Sequence, residues 1–294
     1  MYMDFTQYIM KQRYTKVKGL GDRLALMKEQ INWEPFRPMI SQVFLDDDEK
    51  GGRPHTDEII VVRTMLLQAW YGLSDQTLEF CAYDWLSFQN FLDFPKSIPD
   101  FTTIWKIRER IKNKKIDKLI WKELQMQLDE KGYVVKKGVI QDAAFIEGDF
   151  GKKRHYKEKK AEKLGTPIEY TEMQKSHMDK DGTFAVKNNQ IHFGYKVHTK
   201  PDVDYGFIRE YDVTTASTHD GDIDLVESGD IAAYRDKGYF GKKLKSNDVD
   251  DKTMKRAVRD HPLTDAEKEY NRNISKIRAP GERPYSVIKL KFTG

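Results

Sequence analysis

Asp236 follows a short apolar run, Ile231 to Tyr234, and stands between Arg235 and Lys237 just ahead of Gly238. Asp142 follows another apolar pair, Val139-Ile140, and precedes Ala143-Ala144-Phe145-Ile146. Both stretches read as strands, which puts each carboxylate at the edge of a sheet. A carboxylate there is costly unless it is paired, hydrogen-bonded or bound to a metal. Glu282 precedes a C-terminal stretch with helical patterning, with Arg278 four residues before it and Lys289 seven after. On a helix, seven residues is about two turns, so Lys289 shares the face of Glu282. Two aspartates and a glutamate suffice for two Mg²⁺ ions, which take few carboxylates together with water and phosphate oxygens. Two ions about 4 Å apart activate a nucleophile and stabilise a leaving oxygen in phosphodiester chemistry. Arg278 and Lys289 could then hold strand phosphates. Spacing alone does not single out these three among 47 acidic residues, and a loop aspartate in a surface ion pair is the bland alternative.

Charge is unevenly spread along the 294 residues, although the net charge is only +4. Residues 104–137 carry eleven Lys/Arg against five Asp/Glu, residues 152–163 seven against two, and residues 255–294 ten against five. Acidic residues gather elsewhere, in 45–49 and 218–230. Basic stretches beside acidic clusters fit a phosphate-backbone partner whose scissile bond lies near metal-binding carboxylates. The 152–163 run also reads as a solvated loop, with Lys152, Lys153 and Arg154 as candidate phosphate contacts. The single cysteine, Cys81, sits in an apolar setting and excludes an internal disulfide. No apolar run approaches the roughly 20 residues of a membrane helix. The N-terminal MYMDFTQYIMKQRYTK has neither the core nor the cleavage site of a signal peptide. These features predict a cytoplasmic protein. Motifs for zinc, nucleotide or serine-hydrolase chemistry do not occur, so no nucleotide cofactor is expected.

The elements that must position the carboxylates fall into two regions. Residues 1–130 read as helical: a piece in 35–44, a buried helix over 59–72 capped by Thr56 or Asp57, and two short helices in 73–93 with Ser74 capping the first. A long helical region then starts near Asp100 or Thr102. Short helices ending in a basic one are compatible with a helix-turn-helix-like DNA-binding unit. From about 131 to 294 the order is strand, hairpin, helix, strand, helix or loop, and C-terminal helix, a mixed sheet carrying helices and an α/β reading. The hairpin turns at Pro201–Gly206, with His192, Gly194, Lys196 and His198 alternating against Ile191, Phe193, Tyr195 and Val197. A helix is expected from Thr218 or Asp220 and a short strand over 254–258. Lys196 and His198 are candidates to approach phosphate or the carboxylates. His219-Asp220 reads as a helix cap before a metal pair, and Glu147 and Asp149 as turn residues.

The blocks GVIQDAAFIEGD, FGYKVHTKPDVDYGFIREYDVTTASTHDGD, YRDKGYFG and ISKIRAPGERPYSVIKLKF resemble, in order, those of insertion-sequence DDE transposases. The group is the insertion-sequence-four/five superfamily, and the five-like members in particular. GRPHTDEIIVVRTMLLQAWYGLSDQTLE and PDFTTIWKIRERI resemble the helical domain that precedes the catalytic one there. The resemblance implies an N-terminal DNA-binding region and an RNase H-like catalytic domain with Asp142, Asp236 and Glu282 as metal-holding catalytic acids. It implies two Mg²⁺ ions, with Mn²⁺ as a substitute. It also implies double-stranded DNA partners (terminal inverted repeats and target) and a homodimer on DNA. Arg278, Glu282 and Lys289 match the family signature Y-x2-R-x3-E-x6-K, while Ser275 stands at the tyrosine position and Phe101 where a histidine is frequent. Relatives continue with another helical stretch, so a truncated copy that binds ends without cutting them is the alternative expectation.

Overall fold

Side chains that hydrogen-bond to backbone N–H groups, Asp22, Asp57, Ser74 and Asp100, open four helices of the first region. The computed structural model describes residues 5–44, 55–148, 160–161, 163–165, 171, 173, 179, 181–187, 189–259 and 261–292. They divide into two compact units, Met1–Val134 and Val135–Gly294.

The first unit is helical: α1 (Phe5–Gly19), α2 (Arg23–Gln30), α3 (Arg37–Ser41), α4 (Glu58–Tyr71), α5 (Asp75–Asp84), α6 (Leu86–Phe91), α7 (Phe101–Asn113) and α8 (Ile116–Glu130). Asp57, Ser74 and Asp100 cap α4, α5 and α7, and Gly72 ends α4 in the left-handed conformation. The single long helical region expected after Asp100 is two helices. Lys115 takes a left-handed φ of 55°, and Ile116 then turns back into the core beside Ile107 and Ile111. Burial of Leu67, Leu78, Phe88, Phe91 and Ile104 holds the bundle together. The buried Arg63 stacks 4.8 Å from the Trp33 ring and pairs with Asp93. Part of the basic run is structural: Arg108 grips Asp75 through two bonds, at 2.7 and 2.9 Å. Lys106, Lys112, Lys115, Lys118 and Lys122 are exposed.

The second unit carries β1 (Val139–Glu147), β2 (Thr183–Lys187), β3 (Gln190–Pro201), β4 (Ile208–Thr215), β5 (Ala232–Arg235) and β6 (Asp250–Thr253). The six strands order as β2-β3-β1-β5-β6, with β4 also on β3. β1 is central and changes partners along its length. Val139 to Gln141 pair in parallel with β5, and Asp142 to Glu147 pair antiparallel with β3. Val139, Val226, Ala233 and Val249 form the buried core under it. The helices α9 (Asp265–Arg278), opened by a Thr264/Glu267 capping box, and α10 (Arg283–Phe292) follow.

Two expectations differ from the structure here. The helix expected from Thr218 or Asp220 is one 3₁₀ turn, Asp220–Asp222. Asp224 instead accepts bonds from the N–H groups of Val226 and Lys245, which offers that backbone a non-helical alternative. The strand expected over 254–258 lies earlier, at β6, whose residues alternate too weakly to read as a strand. Arg235, beside Asp236, is buried and ties β5 to Thr253, Asp251 and the Lys242 carbonyl.

Candidate active site

The parallel register Val139↔Ala233, Ile140↔Tyr234, Gln141↔Arg235 brings the next residues, Asp142 and Asp236, to one level, where β5 stops. Asp236 caps the 3₁₀ turn Lys237–Tyr239, and its Oδ1 accepts from the Gly238 N–H at 2.7 Å. A Cβ at Gly238 would lie 2.9 Å from that oxygen, so glycine permits the close approach. The other oxygen of Asp236 has no hydrogen-bond partner among the described residues. Asp142 accepts from the Ala143 N–H at 2.9 Å and from Arg278 Nη2 at 3.0 Å. Burial pushes the Asp142 carboxyl above the usual carboxylate range. The Arg278 charge and the Ala143 N–H draw it back, and the Asp236 charge adds to the rise.

Arg278 ends α9, and the 3₁₀ turn Ala279–Glu282 carries the chain across β1. A Cβ at Gly281 would fall 3.0 Å from Ile140 Cγ2. Ile140 and Asp142 share a face of the strand, so Glu282 ends a turn seated on the Asp142 face of β1. Thr199, opposite Asp142 in register, donates to the Tyr285 hydroxyl at 2.7 Å on that same face. Glu282 itself is exposed and has no partner among the described residues. Among those residues no three histidine, cysteine or acidic side chains gather to hold an ion, so Glu282 is not brought together with the two aspartates. Ser275 turns its hydroxyl toward Met254 Sδ at 3.8 Å. Lys289 lies on α10 with its side chain outside the described set, and Lys152, Lys153, Arg154 and Asp149 lie outside the described residues.

Lys196 and His198 pair in register with Phe145 and Ala143, which places them on the face opposite Asp142. The Lys196 ammonium is buried. It donates to the Thr218 carbonyl at 2.6 Å and pairs with Asp220 at 2.7 Å. A cleft of about 550 Å³ opens there and reaches Asp236, with Asp220, Lys187, Lys237 and Arg256 also in its lining. His219 and Asp220 thus serve a short turn and an ion pair, and Glu147 holds His192 at 2.6 Å.

His198 is fully buried, with Nε2 on Thr214 Oγ1 at 2.9 Å and Nδ1 without a partner among the described residues. Burial lowers its pKa. Asp220 opposes the shift, Lys196 adds to it and Asp212 opposes it. The unfolded chain therefore binds the proton more readily. The stability His198 lends is complete above its ordinary pKa, about 6.5, and is lost as pH falls through the lowered folded value. Thermal unfolding from pH 7 to 5 will show a falling Tm, and His198→Gln will flatten that slope. Parallel slopes would place the titration elsewhere.

Two residues at the site are not among the sequence-predicted site residues. Asp220 reads as a cap because Ser, Thr and Asp crowd around it. Tyr239 reads as one of many aromatics, yet it is buried, its hydroxyl without a partner among the described residues. Its position three residues after Asp236, in a turn that Asp236 caps, was the available clue.

No helix among the described residues is long and apolar enough to cross a membrane. Residues 12–110 match a family described as a transposase domain (DUF772), and residues 135–294 match one described as a transposase DDE domain. No solved structure matches the chain.

Proposed function

The chain belongs to the transposase DDE domain family, and from that premise we propose that it cleaves and joins DNA at the ends of an insertion sequence. The observation that carries this reading is the β1–β5 register, which delivers Asp142 and Asp236 side by side at the end of two parallel strands. The blocks around Asp142, Asp236 and Arg278-Glu282-Lys289 support membership of the insertion-sequence-four/five superfamily, in its five-like group. The strand order supports an RNase H-like catalytic domain over 131–294: an antiparallel hairpin on one side of β1 and two parallel strands on the other.

The donor set fits a hard divalent cation. It consists of carboxylates, with one Asp236 oxygen unbonded and the charged form of Asp142 disfavoured by burial. Asp142, Asp236 and Glu282 would hold two Mg²⁺ ions, or Mn²⁺, which when bound polarise the scissile phosphate and acidify water. Arg278, Lys289, Lys196, Lys152, Lys153 and Arg154 are the proposed phosphate contacts. Lys196 must exchange Asp220 for phosphate to act as one. The helical region 1–130 would bind the terminal inverted repeats, with the exposed lysines of α7 and α8 on the backbone. A homodimer would hold two ends together on nucleoid DNA in the cytoplasm.

In the first step water attacks the phosphorus at the element's end. The P–O3′ bond breaks, and the departing oxygen takes up a proton as a 3′-hydroxyl. In the second, that hydroxyl attacks a target phosphorus, one P–O bond forming as another breaks, so neither ATP nor a covalent protein intermediate is required.

The test is an assay with Mg²⁺ on duplexes from the DNA flanking the gene. Nicked ends and joined products are expected, and nicking without joining would reduce the reading to a hydrolytic nuclease. One observation favours a second reading, end binding without cleavage: Glu282 is not gathered with the two aspartates, and Arg278 occupies Asp142. Bound duplex with no products at any Mg²⁺ concentration would establish that alternative.

A further inference from the structure

Among the described residues, Tyr239 is one of the largest fully buried side chains, and its hydroxyl has no hydrogen-bond partner there. A buried hydroxyl left unbonded costs roughly 1–3 kcal/mol. Such groups in a native structure call for a reason. Of the groups whose charges act on Tyr239, most are engaged elsewhere, and one oxygen of Asp236 is open among the described residues. Asp142 is bonded by Ala143 and Arg278, one oxygen of Asp236 is bonded by Gly238, and the Tyr285 hydroxyl is bonded by Thr199. The 3₁₀ turn Lys237–Tyr239 presents Asp236 at its start and Tyr239 at its end, so the two side chains are delivered by one rigid unit. The Arg235 guanidinium lies 5.6 Å from the ring centroid and, through Thr253 and Asp251, anchors the ring's surroundings. Burial, then the charges of Asp142 and Asp220, the neighbouring Tyr285 and Asp236 all raise the Tyr239 pKa. The hydroxyl therefore stays protonated and is a donor among carboxylates.

We propose that Tyr239 is a positioning residue for the cation site: its hydroxyl donates to the carboxylates of Asp142 and Asp236 when they turn to hold a divalent ion, fixing their orientation. The inference rests on the proposed cation-binding role of those aspartates. Outer partners of this kind orient ligands and raise their basicity, and their loss costs about 10- to 100-fold in metal affinity. The cation-free protein makes no use of the hydroxyl. Removing it should thus leave the fold as stable or more so, the opposite of what a structural tyrosine would show.

The experiment is thermal unfolding and calorimetric titration of the full chain with MgCl₂ and MnCl₂ alone, without DNA, on wild type, Tyr239→Phe and Asp236→Asn. For Tyr239→Phe the expected result is a cation-free Tm equal to or above wild type with cation affinity weakened about 10-fold or more. Unchanged affinity in Tyr239→Phe, or a lowered cation-free Tm, would overturn the inference while leaving the carboxylate site standing. A cation response that persists undiminished in Asp236→Asn, or is missing from wild type, would remove the carboxylate site and this inference with it.

Discussion

Asp236→Asn will lower end cleavage by about 10³-fold or more and leave end binding within a few-fold of wild type. A cation ligand at the scissile phosphate contributes several kcal/mol of transition-state stabilisation, and roughly 4 kcal/mol corresponds to about a thousandfold in rate. The substitution is mild for the fold. The Asp236 oxygen that accepts from the Gly238 N–H has a counterpart in the asparagine carbonyl oxygen, and Asn caps a turn about as well as Asp. The amide removes the charge and one acceptor from the oxygen that has no bond in this structure. Single-turnover cleavage with Mg²⁺ beside a gel-shift measurement of binding would separate the two effects. Cleavage that survives in the variant would move the chemistry away from β5. A loss of binding matching the loss of cleavage would make Asp236 a DNA contact.

Gly194→Ala will unfold the second unit at a markedly lower temperature. Gly194 has a φ of +131°, a conformation that side chains rarely adopt. A Cβ there would lie 2.5 Å from both the Gly148 nitrogen and the Ile146 oxygen, backbone atoms that cannot swing aside. Its carbonyl also accepts from Ala216, and it pairs with Glu147 on one side and Thr183 on the other. Strain of 1–3 kcal/mol with the backbone collision gives a destabilisation of about 3 kcal/mol or more. For a unit of this size that corresponds to a fall of roughly 6–12 °C in Tm. Calorimetry will show it as a downward shift of one transition, and cleavage will fall too, because the same ladder sets Asp142 opposite Thr199. A variant melting within about a degree of wild type would mean that β1 and β3 can part at Gly194 without strain.

Much of this was legible in the chain, for local reasons. The helix limits at Asp57, Gly72, Ser74 and Asp100 are written in cap chemistry. The hairpin of β3 and β4 is written in alternation around Pro201–Gly206. Asp142 and Asp236 could be placed on strands because each borders an apolar run. What could not be read depends on partners far away in sequence. Which residues of β1 face β5 and which face β3 is a matter of register, and register put Lys196 and His198 on the face away from Asp142. β2 and β6 are held by their neighbours more than by pattern, since TFAVK and DDKT present few buried positions. The burial of Arg235 depends on Asp251 and Thr253, which bond it from the neighbouring strand. Glu282 was legible as a motif position, and its place relative to the aspartates was not.

The exchange of partners along β1 has a mechanical consequence. Asp142 stands on the six-residue ladder shared with β3, which is braced in turn by β2 and β4. Asp236 hangs from a four-residue strand and a single turn of 3₁₀ helix. One wall of the opening between them is therefore stiff and the other compliant, as in a vice with one fixed jaw. Changes in the width of the gap will fall on the β5 side, because short ladders open before long braced ones. Asp142 serves as the stationary reference against which Asp236, and whatever lies between them, is adjusted.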